Sequence, residues 1–212
     1  MNKKKVAQIV QKLSEEYPDA RPALEFENNF QLLIAVMLSA QCTDERVNKV
    51  TRELFKDYNT PESFLTLSVE ELGQKIFSCG LYRSKAEHIL STCRDLVEKF
   101  GGEVPQTLEE LRTLAGVGRK TANVVYSVGC GGDAIAVDTH VFRVSNRIGL
   151  AKAANVLATE KQLMENIDKS LWSASHHYLI FHGRRVCKAQ RPMCETCVLR
   201  DLCEYKDKKI AK

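Results

Sequence analysis

Apolar residues recur at three- and four-residue steps along almost the whole chain, and hardly anywhere at steps of two. Val6, Ile9, Val10, Leu13 and Tyr17 form one such stripe, stopped by Pro18. Phe30, Leu33, Ile34, Met37 and Leu38 form another; apart from Gln31 the residues between them are apolar too, so this helix is expected to be deeply buried. Val47, Val50, Leu54, Phe55 and Tyr58 repeat the spacing. Ala86, Ile89, Leu90, Cys93, Val97 and Phe100 extend it into a longer stripe closed by Gly101 and Gly102. Pro61 should open a short helix, and Ser68 with Glu71 should form a capping box for the next, with Gly80 ending that one. Ala134 to Val137 is the one candidate strand and is too short. The pattern predicts an all-α fold.

At 212 residues the chain can form one large domain or two small ones and bury a real core. Charged residues at 27% and hydrophobic ones at 44% are ordinary for a soluble globular protein. A net charge of +4 suits an anionic partner without demanding one. The basic start, Met1 to Lys5, is followed by no apolar signal segment, and the longest apolar run, Leu32 to Leu38, is too short to span a bilayer. An intracellular location follows, where eight cysteines need a reason other than disulfides. Cys42, Cys79, Cys93 and Cys130 lie among apolar helical positions and read as small core residues. The other four are crowded near the C-terminus.

Two stretches carry candidate chemistry. In "LAGVGRKTANVV", Leu114 to Val125, one helix runs into another. Thr107 and Glu110 fit a capping box for the first, whose apolar face is Leu108, Leu111 and Leu114. Val117, Thr121, Val124, Val125 and Val128 are the face of the second. Gly116 and Gly118 permit a tight turn with backbone N–H groups exposed at a helix start, which suits a phosphate oxygen. Such a pair would grip DNA by its backbone, independently of sequence. The spacing alone equally describes a plain helical hairpin, with Lys120 a surface lysine in a first turn.

The second stretch, "CKAQRPMCETCVLRDLC", has the form C-x6-C-x2-C-x5-C. Four thiolates in a partly irregular loop can surround one metal centre, which a single helix could not arrange. Zinc usually takes two C-x2-C pairs and only one is present; an iron–sulfur cubane also takes four thiolates, but this is not a ferredoxin spacing. The spacing favours a metal centre and leaves its identity open. Lys188 and Arg191, between the first two cysteines, are either carried by the centre towards a phosphate or simply solvated.

Taken in order, "LLIAVMLSAQCTDERVNKV", "GLYRSKAEHI", "LAGVGRKTANVV", "AVDTHVFRVSNR" and the cysteine tail resemble the endonuclease III family of the helix-hairpin-helix DNA glycosylase superfamily, over essentially the whole chain. One position departs: the family hairpin usually reads Leu-Pro-Gly-Val-Gly, and Ala115 stands where the proline would be. That loss of rigidity should cost well under about 1 kcal/mol.

The resemblance implies a six-helix domain over residues 21–132, with the helix-hairpin-helix at 107–129, and a second helical domain from residues 1–20 and 133–212. It implies that duplex DNA lies across the groove between them, with Lys120 and Asp138 facing each other there. It also implies a [4Fe–4S] cluster on Cys187, Cys194, Cys197 and Cys203. The implied activity is base-excision repair. Damaged, oxidised pyrimidines are removed, and the 3′ side of the abasic site is cut by β-elimination through a Schiff base on Lys120. A lysine attacks C1′ only as the neutral amine, which burial in a groove and the positive end of a helix both favour.

Asp138, as an N-cap, would stay ionised and could stabilise positive charge developing on the sugar or assist proton transfer. Flipping the target base costs a few kcal/mol and leaves a hole. Gln41 would pair with the orphaned base and Leu81 would wedge between neighbours; otherwise they are a polar helix-end residue and a buried apolar residue after a glycine. Gly116, Gly118, Arg119, Thr121, Lys188 and Arg191 are the expected DNA contacts. Asp44 is a candidate for the base pocket or a helix cap; His140 is a weaker pocket candidate that reads as a packed or hydrogen-bonded side chain. The expected protein is a cytoplasmic, nucleoid-associated monomer acting on duplexes with damaged pyrimidines or abasic sites.

Three other readings compete. A related adenine or mismatch glycosylase without lyase activity generally lacks a lysine at position 120. A non-catalytic helix-hairpin-helix module explains Gly116 and Gly118 but not Lys120 with Asp138. An electron-transfer protein does not explain a single cluster in an all-helical DNA-binding frame.

Overall fold

The computed structural model describes residues 2–208, and among them the regular structure is entirely helical. The α-helices are α1 (Lys3–Glu16), α2 (Asn29–Leu38), α3 (Asp44–Asp57), α4 (Pro61–Phe64), α5 (Val69–Lys75), α6 (Tyr82–Phe100), α7 (Leu108–Leu111), α8 (Arg119–Val124), α9 (Thr139–Ile148), α10 (Val156–Asn166) and α11 (Trp172–Arg185). The chain divides into two compact units, one spanning Pro22–Gly132, the other combining the segment up to Arg21 with everything from Asp133 onwards.

In the Pro22–Gly132 unit, α2 is the centre. Every residue from Phe30 to Leu38 is buried, and α3, α6 and α8 pack around it. Each such leucine or isoleucine contributes about 1.5–3 kcal/mol by leaving water. Gln31, the polar exception, is satisfied: its Oε1 accepts the Glu27 N–H at 2.8 Å. Pro61 begins α4, and Ser68 and Glu71 cap each other's backbone at the start of α5. At α7 the reciprocal box is incomplete: Thr107 accepts the Glu110 N–H, but the Glu110 carboxylate takes the Thr107 hydroxyl at 2.7 Å instead of its backbone N–H. α7 is also a single turn, so Leu114 is buried in the turn that comes after it. Gly80 does not end α5. That helix stops at Lys75, a tight 3-10 turn over Phe77–Cys79 intervenes, and Gly80 (φ 68°) closes the turn. The tighter turn buries Cys79 and brings Phe77 against Tyr82, ring centroids 4.8 Å apart. Cys79 and Cys93 are core residues, whereas Cys42 and Cys130 are only half-buried.

The other unit assembles its core from distant parts of the chain. Val6, Ile9, Val10 and Leu13 of α1 meet Val141, Val144 and Ile148 of α9 and Leu179 of α11. Ala134 to Val137 is buried throughout without forming a strand; the Ala136 carbonyl lies 2.8 Å from His176 Nδ1. No helix among the described residues is long and apolar enough to cross a membrane.

Candidate functional site

The Leu114–Val117 turn is closed by a bond from the Val117 N–H to the Leu114 carbonyl at 3.1 Å. Gly116 is its third residue, with φ 73°, as a type II turn requires. A Cβ there would also stand 2.9 Å from that of His88 on α6. The buried Thr92 hydroxyl donates to the Ala115 carbonyl at 2.8 Å, and Leu114 and Val117 plug the core on either side. The turn is therefore shaped by the protein's own packing. Gly118 is different. Its φ of −79° suits any residue, and nothing lies within 4 Å of where its Cβ would be. It is the N-cap of α8 and no side chain caps that helix. Leaving Cβ out keeps the start of α8 open from outside, with Arg119 and Lys120 exposed on its first two positions and Thr121 half-buried.

The same unit carries Gln41 and Leu81, both exposed, at φ 54° and 49°. Leu81, at the start of α6, is 58% exposed, so it is not the buried residue that its place after a glycine allowed. Left-handed backbone is strained for both residue types. Among the described residues the only other non-glycine with positive φ is Arg191 (φ 52°), and it too is exposed. All three are expected DNA contacts. Asp44 occupies the first turn of α3, half-buried, but Thr43 is the residue that caps it, accepting the Arg46 N–H at 3.3 Å.

In the other unit, Asp138 caps α9: its Oδ1 accepts the Val141 N–H at 2.7 Å. His140 lies 3.2 Å from the Arg143 guanidinium through Nδ1, and burial holds its pKa below the usual imidazole range. Neutral and engaged, it behaves as a packed residue.

The cysteine tail comes after α11. Cys187, Cys194, Cys197 and Cys203 are half-buried, none is in a disulfide, and all four line one cavity that is open to solvent. Ile148, Val186, Pro192 and Met193 supply its apolar wall. Burial pushes the Cys197 thiol up to about 11, the other three thiols acting in the same direction, and burial raises Cys203 too. Two arginines of α9 hold the first part of the tail. Arg143 donates to the Cys187 carbonyl at 3.1 Å, and Arg147 to the carbonyls of Lys188 and Ala189 at 2.7 and 3.0 Å. Lys188 and Arg191 are exposed. His182 stands behind Cys197, with Nε2 at 3.5 Å from its sulfur and Nδ1 at 3.0 Å from the Tyr17 hydroxyl. Burial lowers His182 to about 4, so the ring is neutral and one nitrogen donates while the other accepts. Among the described residues no group of three or more His, Cys, Asp or Glu is arranged to hold a single metal ion.

Sequence reading missed Arg143, Arg147, Tyr17 and His182. The one available signal was the four-residue spacing of the two arginines, which puts them on one face of α9.

Residues 34–169 match the model of the HhH-GPD superfamily base excision DNA repair proteins, the class to which this hairpin and all-helical frame belong. The chain is 49% identical over 208 residues to Endonuclease III of Haemophilus influenzae, covering 98% of this chain and 99% of that one. Two solved structures superpose with a TM-score of 0.91 and cover 96% of this chain and 96% of theirs. One is a trapped endonuclease III–DNA covalent intermediate in an estranged-adenine complex, 51% identical, and the other a non-covalent endonuclease III–DNA complex, 50% identical. The chain belongs to the endonuclease III family of that superfamily. It is a base-excision repair enzyme, a DNA glycosylase and lyase, and the readings as a monofunctional relative or a binding module are not favoured.

Proposed function

We propose that the protein removes oxidised pyrimidines from duplex DNA with Lys120 as the nucleophile, then cuts the strand 3′ to the abasic site. The observation that carries this is an exposed lysine on the second position of α8, beside the open backbone left by Gly118 on a turn that is already formed. Gly116, Gly118, Arg119 and Thr121 bind the phosphates around it. The nucleophile is the neutral form of the amine. Nζ attacks C1′, the glycosidic bond breaks and the base leaves with a proton. The nitrogen lone pair then opens the sugar ring by breaking the C1′–O4′ bond, with O4′ taking a proton, and the resulting iminium acidifies C2′; loss of that proton breaks the C3′–O bond, and water then frees the lysine. Asp138 has one oxygen committed to the Val141 N–H, which fixes the side chain in place and leaves its other oxygen to stabilise charge on the sugar. Gln41 and Leu81 fill the hole left by the flipped base, a role that their exposure and left-handed backbone support. Asp44 borders the base pocket, and Lys188 and Arg191 reach phosphates from the tail.

The four tail cysteines suit a [4Fe–4S] cluster. A cubane takes one thiolate at each of four irons, so its ligands ring a cavity, as these do, whereas one ion needs them to converge on a point. When bound, it would supply four Fe–S bonds that tie the tail together. Thiolates there need donors nearby, and Arg147 Nη1 lies 3.6 Å from the Cys187 sulfur while His182 faces Cys197. The protein works inside the cell, as a monomer.

Borohydride added during turnover on DNA with one oxidised pyrimidine should fix the strand to Lys120. Lys120→Gln should lose base removal and strand cleavage yet bind DNA; Asp138→Asn should bind, remove the base slowly and still be trapped on abasic DNA. A Lys120→Gln protein that cut and trapped abasic DNA at the parent rate would end the assignment.

A further inference from the structure

Lys85 belongs to α6, but its side chain turns inward and the residue is only 7% exposed. Its ammonium donates two hydrogen bonds, to the Leu38 carbonyl at 2.7 Å and to the Cys79 carbonyl at 2.8 Å. Both acceptors are chain ends of the same kind. Leu38 is the last residue of α2, and Cys79 the last of the 3-10 turn. Carbonyls at helix C-termini lack intrahelical partners and carry partial negative charge, so one buried cation can serve both. Burial pulls the Lys85 pKa down while the neighbouring Cys79 and Cys42 thiols oppose that.

The two carbonyls stand at the bases of two exposed loops. The chain leaves Leu38 through Ser39 and Ala40 to Gln41, and leaves Cys79 through Gly80 to Leu81. Gln41 and Leu81, exposed and in left-handed backbone, are the residues read as filling the hole in the duplex. The ammonium thus sits at the common root of two separate loops. An uncharged residue of similar length would fill the space without the cost of burying a charge, but could not hold both carbonyls.

We propose that Lys85 is a positioning residue that clamps the Gln41 and Leu81 loops to each other, presenting the two side chains to the DNA as one unit. The proposal rests on the hole-filling reading of those residues, and its test separates the two. Lys85→Met keeps the stem and removes the donors. In the free protein, amide hydrogen exchange should rise at least about tenfold across both Ala40–Cys42 and Gly80–Tyr82, with core amides of α2 unchanged. Single-turnover base removal should slow. In a Gln41→Ala/Leu81→Ala background, adding Lys85→Met should then change the rate less than about twofold, since it acts only through those residues. Unchanged exchange in either loop overturns the clamp, as does a Lys85→Met loss of equal size in both backgrounds. A double variant that removes bases at the parent rate defeats the hole-filling reading instead, while the exchange result still tests the clamp. If the Met variant does not fold, Lys85→Gln replaces it: its shorter arm can serve one carbonyl, so one loop should lose protection, and full protection of both overturns the proposal.

Discussion

The hairpin turn and the cysteine tail are both irregular backbone at the ends of helices, yet they are held by opposite means. The turn is held from within. Its two apolar residues are buried, a buried threonine hydroxyl takes its carbonyl, and Gly116 fits because φ is positive and His88 is close. The tail has Leu199 and Pro192 buried and little else, and its backbone carbonyls accept hydrogen bonds from the arginines of α9. It brings four thiols round a cavity with no disulfide to join them. A site built on the first plan exists before its ligand arrives, while one built on the second depends on what fills it.

The largest effect should come from the tail. Cys194→Ala should abolish iron and acid-labile sulfide and make the tail a target for limited proteolysis. Protection of the Leu114–Val117 amides should survive; its loss would show that the two regions are not independent.

Within the hairpin, the glycines should part company. Gly116→Ala combines left-handed strain with a 2.9 Å approach to His88 and should cost about 2–4 kcal/mol in thermal or denaturant unfolding. Gly118→Ala meets open space and should cost less than about 1 kcal/mol, yet weaken DNA binding by placing a methyl group over the start of α8. Equal stability losses would contradict the distinction. Thr92→Val should cost about 1–3 kcal/mol, because it strands the Ala115 carbonyl. Smallest is Ala115→Pro. Ala115 is the second residue of the type II turn, where proline is favoured, so the change should stabilise the protein by about 0.4–1 kcal/mol. Destabilisation there would mean the turn is less preformed than its packing suggests.

Much of the fold was legible in the chain. The helical stripes, the Ser68–Glu71 box, Pro61 at the head of α4 and Asp138 as a cap all depend on residues three or four apart, and local geometry decides them. Local rules also explain the misses. Gly80 reads as the stop for α5, but burial of Cys79 and the contact of Phe77 with Tyr82 draw the chain into a separate tight turn first. Cys42 and Cys130 read as small core residues along with Cys79 and Cys93, yet the fold leaves them only half-buried.

Two lysines mark where sequence stops deciding. Lys85 and Lys120 each lie near the start of a helix that follows a glycine, and residue type alone would put both at the surface. The sequence by itself determined the helices, the glycine turn before Lys120 and the clustering of four thiols in the tail, because each is set by near neighbours. Only the tertiary structure decided that Lys85 is buried between two carbonyls while Lys120 stands exposed on α8. The surroundings of a long, flexible side chain depend on segments far away in the chain. Here the ends of α2 and of the Phe77–Cys79 turn close over one lysine, and neither can be read from its immediate neighbours.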